Sequence, residues 1–196
     1  PRGTLFLIGE FYGCDREQHN TGLNMSSTNV AKMVKEVDDT ITGKKERLSH
    51  EKGEINFISG IASGHHVQAG PADNAINNAN DDDISIADKM KAQGVVWSES
   101  DKRPGSRVNG ASVICEMLES AIEGACSESG LLERPALYFF DNVRGIISRF
   151  PVLSRDSKNP DDVDTEQEDH DYDALRYRCA KAVITPVTRP TIRIGY

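Results

Sequence analysis

Paired cysteines, long apolar runs and a nucleotide-phosphate loop are all missing from this chain, and each absence removes a class of protein. The four cysteines, Cys14, Cys115, Cys126 and Cys179, form no C-x-x-C pair, and no histidine follows them at zinc-finger spacing. They read as buried or incidental thiols in a reducing cytoplasm. No apolar run approaches the ~20 residues of a membrane helix, so no membrane partner is expected. Pro1 to Tyr12 lacks the charged start, long apolar centre and small-residue cleavage site of a secretory signal. Thr42-Gly43-Lys44-Lys45 invites comparison with a Walker loop, but Asp38 stands where the pattern needs its first glycine, and no such pattern occurs elsewhere. An ATPase site is not expected in this chain.

What is present describes a globular protein. The 196 residues are 37% hydrophobic and 28% charged, enough for one domain with a substantial core. The formal charge of −8 argues against a surface that is wholly a nucleic-acid glove. It is compatible with an enzyme that gathers carboxylates around metal ions and grips DNA with a local basic patch. The chain starts without Met and almost inside a strand, and reads as a piece of something longer.

Apolar runs at Thr4–Phe11, Ile55–Ile61, Val67–Ala72, Val95–Trp97 and Pro135–Phe140 predict short strands. Glu10 interrupts the first, either on an open face or aimed at a site. Helical spacing predicts helices over Asn29–Thr40, Ile84–Gln93, Val108–Glu123, Asn142–Arg149 and Asp169 to about Val183. Strands alternating with helices give an α/β class. Gly43–Gly53 reads as an exposed loop or hairpin, Asn20–Asn24 as a turn, residues 154–168 as an exposed acidic linker within a domain spanning 1–183, and 184–196 as a Pro-broken tail.

Three stretches hold the candidate chemistry. Glu168 to Tyr177 opens the last helix, and His170, Asp173 and Tyr177 fall at helical spacing on one face, with Asp169 four residues before Asp173. Carboxylates and an imidazole on a rigid helix suit a hard metal; acidic residues at a helix start also simply oppose the macrodipole and cap. Asp73 follows a Gly-Pro turn at a strand's C-terminal end, where α/β sites lie, or else caps the next segment. The densest basic loop, Asp101 to Arg107, offers Lys102, Arg103 and Arg107 to phosphates, or is an ordinary solvated loop. His65-His66 point to opposite faces of any strand, and Asn77–Asp83 lacks the glycine and terminal glutamate of a calcium loop.

Several segments together resemble one family. LFLIGEFYG with NTGLNMSSTNVAKMV (Leu5 to Val34), GPADNAI (Gly70 to Ile76), SIADKMKAQGVVW (Ser85 to Trp97), DKRPGSRVNG (Asp101 to Gly110) and Phe139 to Tyr177 are similar, in order, to the C-terminal nuclease domain of the large terminase subunit of tailed bacteriophages and prophages. The resemblance implies an RNase H-like mixed sheet flanked by helices. It implies three acidic residues holding two divalent cations, Mg²⁺ or Mn²⁺, for cleavage of concatemeric double-stranded DNA during packaging. Asp73 matches the second acidic residue and Asp173 the third. His170 matches a histidine accompanying the third, and Asp169 is a further helper at the metal. The first Asp is expected on a strand upstream of Thr4. Lys102, Arg103 and Arg107 would hold DNA, and the implied partners are the portal and small terminase subunit, in the cytoplasm of an infected or lysogenic bacterial host. Two alternatives share the fold: a catalytically silent DNA- or portal-docking module, and a resolvase- or transposase-type nuclease.

Overall fold

Ser26 sets the first long helix. Its side chain accepts a hydrogen bond from the Asn29 N–H at 3.3 Å, satisfying one of the free donors of the first turn. Helix α1 then runs Ser27–Ile41 and turns out at Gly43, which has a φ of +73°. The computed structural model describes residues 3–13, 22–46, 54–79, 83–127 and 132–184. Cys14, residues 20–21 of the expected turn, 47–53 of the expected loop, 80–82 of the acidic run and the tail from 185 lie outside them.

The first apolar run divides at Ile8 into β1 (Leu5–Leu7) and β2 (Gly9–Tyr12). The division lets one run serve two sheets. β1 pairs in parallel with β6 (Leu137–Phe139), and β2 pairs antiparallel with β3 (Glu54–Phe57). Gly9 is required at the divide: a Cβ there would lie 2.5 Å from that of Phe57. β4 (Gly70–Ala72) pairs in parallel with β5 (Trp97–Glu99). Among the described residues the strands thus form three two-stranded sheets.

Among the described residues four further α-helices give a mixed α/β architecture: α2 (Ile86–Lys91), α3 (Ser106–Cys126), α4 (Arg144–Arg149) and α5 (His170–Ile184). No described helix is long and apolar enough to cross a membrane. One core cluster joins Ile114 and Met117 of α3, Leu137 of β6, Val143 and Ile146 around α4, and Tyr172, Leu175 and Cys179 of α5. A second joins Ala31 of α1, Met90 of α2 and Val95.

α3 and α5 approach closely because Gly110 has no side chain. A Cβ there would fall 2.4 Å from the Arg176 Cγ, so the buried Arg176 lies across the glycine. The segment 154–168 is a closed loop. The Gln167 carboxamide accepts from the Ser154 N–H at 3.0 Å and donates to the Ser154 carbonyl at 2.8 Å. Arg155 and Val163 add a bridge within it. The loop therefore reaches α5 as a folded unit, with Asp162 turned inward.

Glu10, equivocal in the sequence, has a structural task. Its two oxygens accept from the Gly145 N–H (2.8 Å), the Ile146 N–H (3.0 Å) and the Asn56 carboxamide (2.8 Å). The N-cap residue of α4, Val143, makes no side-chain cap bond. β2 supplies that missing cap, and the carboxylate also meets the positive end of the helix.

Candidate functional site: a carboxylate pair at the end of β4 and β5

The parallel pair β4–β5 presents two loops at its C-terminal edge, and Asn74 ties them together. Its carboxamide donates to the Ser100 carbonyl (3.2 Å) and accepts from the Ser100 N–H (2.9 Å). Asp73, just past β4, is thereby held beside Lys102, just past β5. The capping reading of Asp73 holds on one oxygen, and the other oxygen faces Lys102 and Tyr177. Oδ1 accepts from the Ala75 N–H at 2.9 Å and caps the 3₁₀ turn Asn74–Asn77. Oδ2 accepts from the Lys102 ammonium at 2.6 Å and the Tyr177 hydroxyl at 3.0 Å. The Ala75 N–H first, and then Lys102, hold the Asp73 carboxyl well down, at about 2.

Helix α5 brings the second carboxylate. Asp173 and Tyr177 are one turn apart, and the Tyr177 hydroxyl lies 3.3 Å from Asp173 Oδ2. One phenol oxygen therefore stands between two carboxylates that are 104 and 4 residues away in sequence. Lys102 donates to the same phenol at 2.7 Å and lies 4.9 Å from the ring centroid. Burial raises the Tyr177 phenol above its ordinary value, and the two carboxylates act the same way against the opposing Lys102 bond. The hydroxyl stays protonated and can donate to only one carboxylate at a time.

Arg107 and Arg176 fix Asp173 from the other side. Arg176, 3% exposed, donates to Asp173 Oδ1 through Nη2 (2.8 Å) and Nε (3.1 Å). Arg107, in the first turn of α3, donates to Asp173 (3.2 Å), Asp162 (2.8 Å), the Val163 carbonyl (3.3 Å) and Asp169 (3.4 Å). Burial works against the Arg107 charge, but the three aspartates outweigh it and raise its pKa further. Burial, and then the Asp173 charge, push the Asp169 carboxyl up. Asp169 also accepts the first backbone bond of α5, from the Asp173 N–H at 2.9 Å.

The structure thus brings Asp73, Asp173, Asp169 and Lys102 into one network. Arg103 stands apart at the surface, its side chain 78% exposed and bonded to neighbouring Asp101. Arg107 is an internal tie, each of its nitrogens committed to a carboxylate. His170 is exposed and lines a different space, a cavity of about 790 Å³ between α5 and β1–β2. Asp171, Ala174 and Arg178 share that side of the helix, with Glu10 and Arg149 across it. Among the described residues no group of three or more His, Cys, Asp or Glu side chains is placed to hold a metal ion.

Sequence reasoning did not assign Tyr177, Arg176 and Asp162 to the site. The first two had a legible signal, at four and three residues after Asp173 on a helix. Asp162 had none, because its approach to Arg107 depends on how the loop 154–168 closes.

Comparisons with protein-family models, curated proteins and solved structures find no match for this chain.

Proposed function

We propose that this chain is a divalent-metal-dependent endonuclease domain of the terminase type, built on an RNase H-like plan and acting on double-stranded DNA. The observation that carries the reading is the convergence of Asp73 and Asp173, 100 positions apart (173 − 73), on one Tyr177 hydroxyl. In support, Asp73 lies at the C-terminal edge of a parallel strand pair and Asp173 in the first turn of a helix packed against it, the placement that the resemblance implies.

The carboxylate and phenol oxygens meeting there suit a hard cation such as Mg²⁺ or Mn²⁺. Asp73 and Asp173 would hold it, with Asp169 a reserve carboxylate behind Arg107. A third ligand is expected from the strand ahead of Thr4. Such an ion, when bound, makes water a stronger nucleophile and stabilises the leaving 3′ oxygen of a phosphodiester. The chain's own contribution is positional. Arg107 and Arg176 aim Asp173, Asn74 aims Asp73, and Arg103 meets a DNA phosphate at the surface.

The test is nicking of supercoiled plasmid with Mn²⁺ or Mg²⁺ by a protein that includes the strand expected ahead of Thr4. Asp73→Asn and Asp173→Asn should each abolish nicking without unfolding the protein. Wild-type protein that leaves the plasmid intact would sink the endonuclease reading. His170→Ala separates a proton carrier from a bystander, since normal nicking by that variant removes His170 from the site.

One observation favours a catalytically silent docking module. Lys102, Arg107 and Arg176 already neutralise most of the charge of Asp73, Asp162, Asp169 and Asp173, as a purely structural network would. DNA or portal binding without Mn²⁺-dependent nicking would establish it.

A further inference from the structure

The cavity between α5 and β1–β2 is built differently from the carboxylate site. His170, Ala174 and Arg178 recur every four residues along α5 and are all exposed, so they form one stripe roughly 12 Å long. That stripe lines the cavity of about 790 Å³. The opposite side is core. Leu137, Ile146 and Leu175 are buried and form its floor, and Leu5 and Leu7 pack against the same cluster. A concave space of this size with fixed apolar walls suits a small organic molecule.

The charged groups around the cavity fall into two sets. Glu10 is committed to the start of α4 and to Asn56 through the three bonds it accepts. Asp171 accepts from Arg149 Nε at 2.6 Å and from the Tyr172 N–H at 2.9 Å. The Arg149 guanidinium also lies 4.4 Å from the centroid of the Tyr12 ring. These groups tie β2, α4 and α5 together. Arg178 and His170 form the other set: among the described residues neither side chain makes a hydrogen bond or an ion pair. The charge left over at the cavity is therefore positive. Arg178 follows Leu175 by three residues, so its guanidinium borders the apolar floor.

We propose that this cavity binds a small organic anion, with its apolar body against Leu5, Leu137 and Leu175 and its acid group on Arg178. Burial of the body supplies the affinity. The planar guanidinium selects a carboxylate over a neutral molecule of the same shape. The His170 imidazole, at the other end of the stripe, is placed for a second polar group. The proposal does not rest on metal binding or on DNA cleavage.

The experiment is a calorimetric titration of the chain with cinnamate, an apolar carboxylate, and with cinnamamide, its neutral counterpart. Cinnamate should bind one-to-one. Arg178→Gln should weaken cinnamate roughly tenfold and leave cinnamamide within about twofold, because it removes only the charge-assisted bonds. Ala174→Trp, which fills the cavity from an exposed helix position, should abolish binding of both while urea unfolding stays cooperative. Arg134→Gln serves as the control, since that exposed arginine is paired with Glu123 away from the cavity; it should leave cinnamate binding unchanged.

Absence of cinnamate binding overturns the proposal, as does binding that either Arg178→Gln or a folded Ala174→Trp leaves intact. Should Ala174→Trp not fold, Arg178→Gln decides alone. Equal losses in Arg178→Gln and Arg134→Gln would show diffuse attraction between charges and no site. A longer protein that includes the strand expected ahead of Thr4 should bind cinnamate as this chain does; loss of binding there would mean that the protein's own chain fills the space, which also overturns the proposal. Plasmid nicking is unaffected by any of these outcomes, so the two readings fail separately.

Discussion

At the scale of single residues, Tyr177 shows how a side chain with an apolar body and a polar tip can organise charge. Its ring is buried on α5 while its hydroxyl reaches both carboxylates and Lys102. Tyr177→Phe should keep the fold and cost about 1 kcal/mol in urea unfolding, the net worth of an ordinary hydrogen bond. A loss several times larger would mean that the phenol holds α5 in place. Cys179 gives a residue-scale test of the core beside the site. Burial pushes its thiol up to about 12, so at pH 8 almost none of it is thiolate, while Cys115 and Cys126 are exposed. Alkylation of the folded chain followed by peptide mapping should mark Cys115 and Cys126 and spare Cys179, and raising the pH towards 10 should not change that order. Rapid native labelling of Cys179 would show α5 opening from the core.

Among elements, the joint of α3 with α5 and the joint of β2 with α4 matter most. At Gly110 two effects oppose one another in a Gly110→Ala variant. Alanine improves the helix by about 1 kcal/mol, whereas forcing a methyl group against the Arg176 stem costs about 1–3 kcal/mol. The overlap, 2.4 Å to Cγ, involves the root of a buried side chain, so the cost should win by about 1 kcal/mol. Urea unfolding measures the sum, and an increase in stability would show that α5 shifts freely. At the second joint, Glu10→Ala strips α4 of the acceptor for two of its first N–H groups. It should cost about 1–2 kcal/mol, with Glu10→Gln recovering part because one oxygen acceptor remains. Both joints hold the platforms on which the carboxylates stand, although neither involves a site residue named from the sequence.

For the whole molecule, the net charge of −8 and the internal pairing of the basic loop make DNA binding a local matter. Lys102, Arg103 and Arg107 should not behave alike. Arg103→Ala should weaken duplex binding with little effect on stability and lower the salt slope by about 1. Arg107→Ala should instead lower stability by about 3 kcal/mol, since it strands the half-buried Asp162, Asp169 and Asp173. Binding isotherms across a salt series, beside urea curves, separate the two. Equal loss of DNA affinity with intact stability for both variants would restore the loop as a uniform grip.

The sequence by itself placed the helices to within a few residues, but it set a strand at Val95–Trp97 where β5 runs Trp97–Glu99, and a Gly-Pro turn where β4 runs Gly70–Ala72. Ser26, Ser85 and Gly43 mark helix ends through donor satisfaction and backbone freedom, and those signals act within a few residues. It also determined that Asp173 and Tyr177 share a helix face, because helical spacing is local. Only the tertiary structure decided that Thr4–Phe11 divides between two sheets, that residues 154–168 close into a loop carrying Asp162 to Arg107, and that Lys102 points at Asp73 rather than outward. Each of these depends on contacts between segments far apart in the chain. Their strength comes from burial and charge proximity that exist only once the segments have met, so nothing in the neighbouring residues announces them.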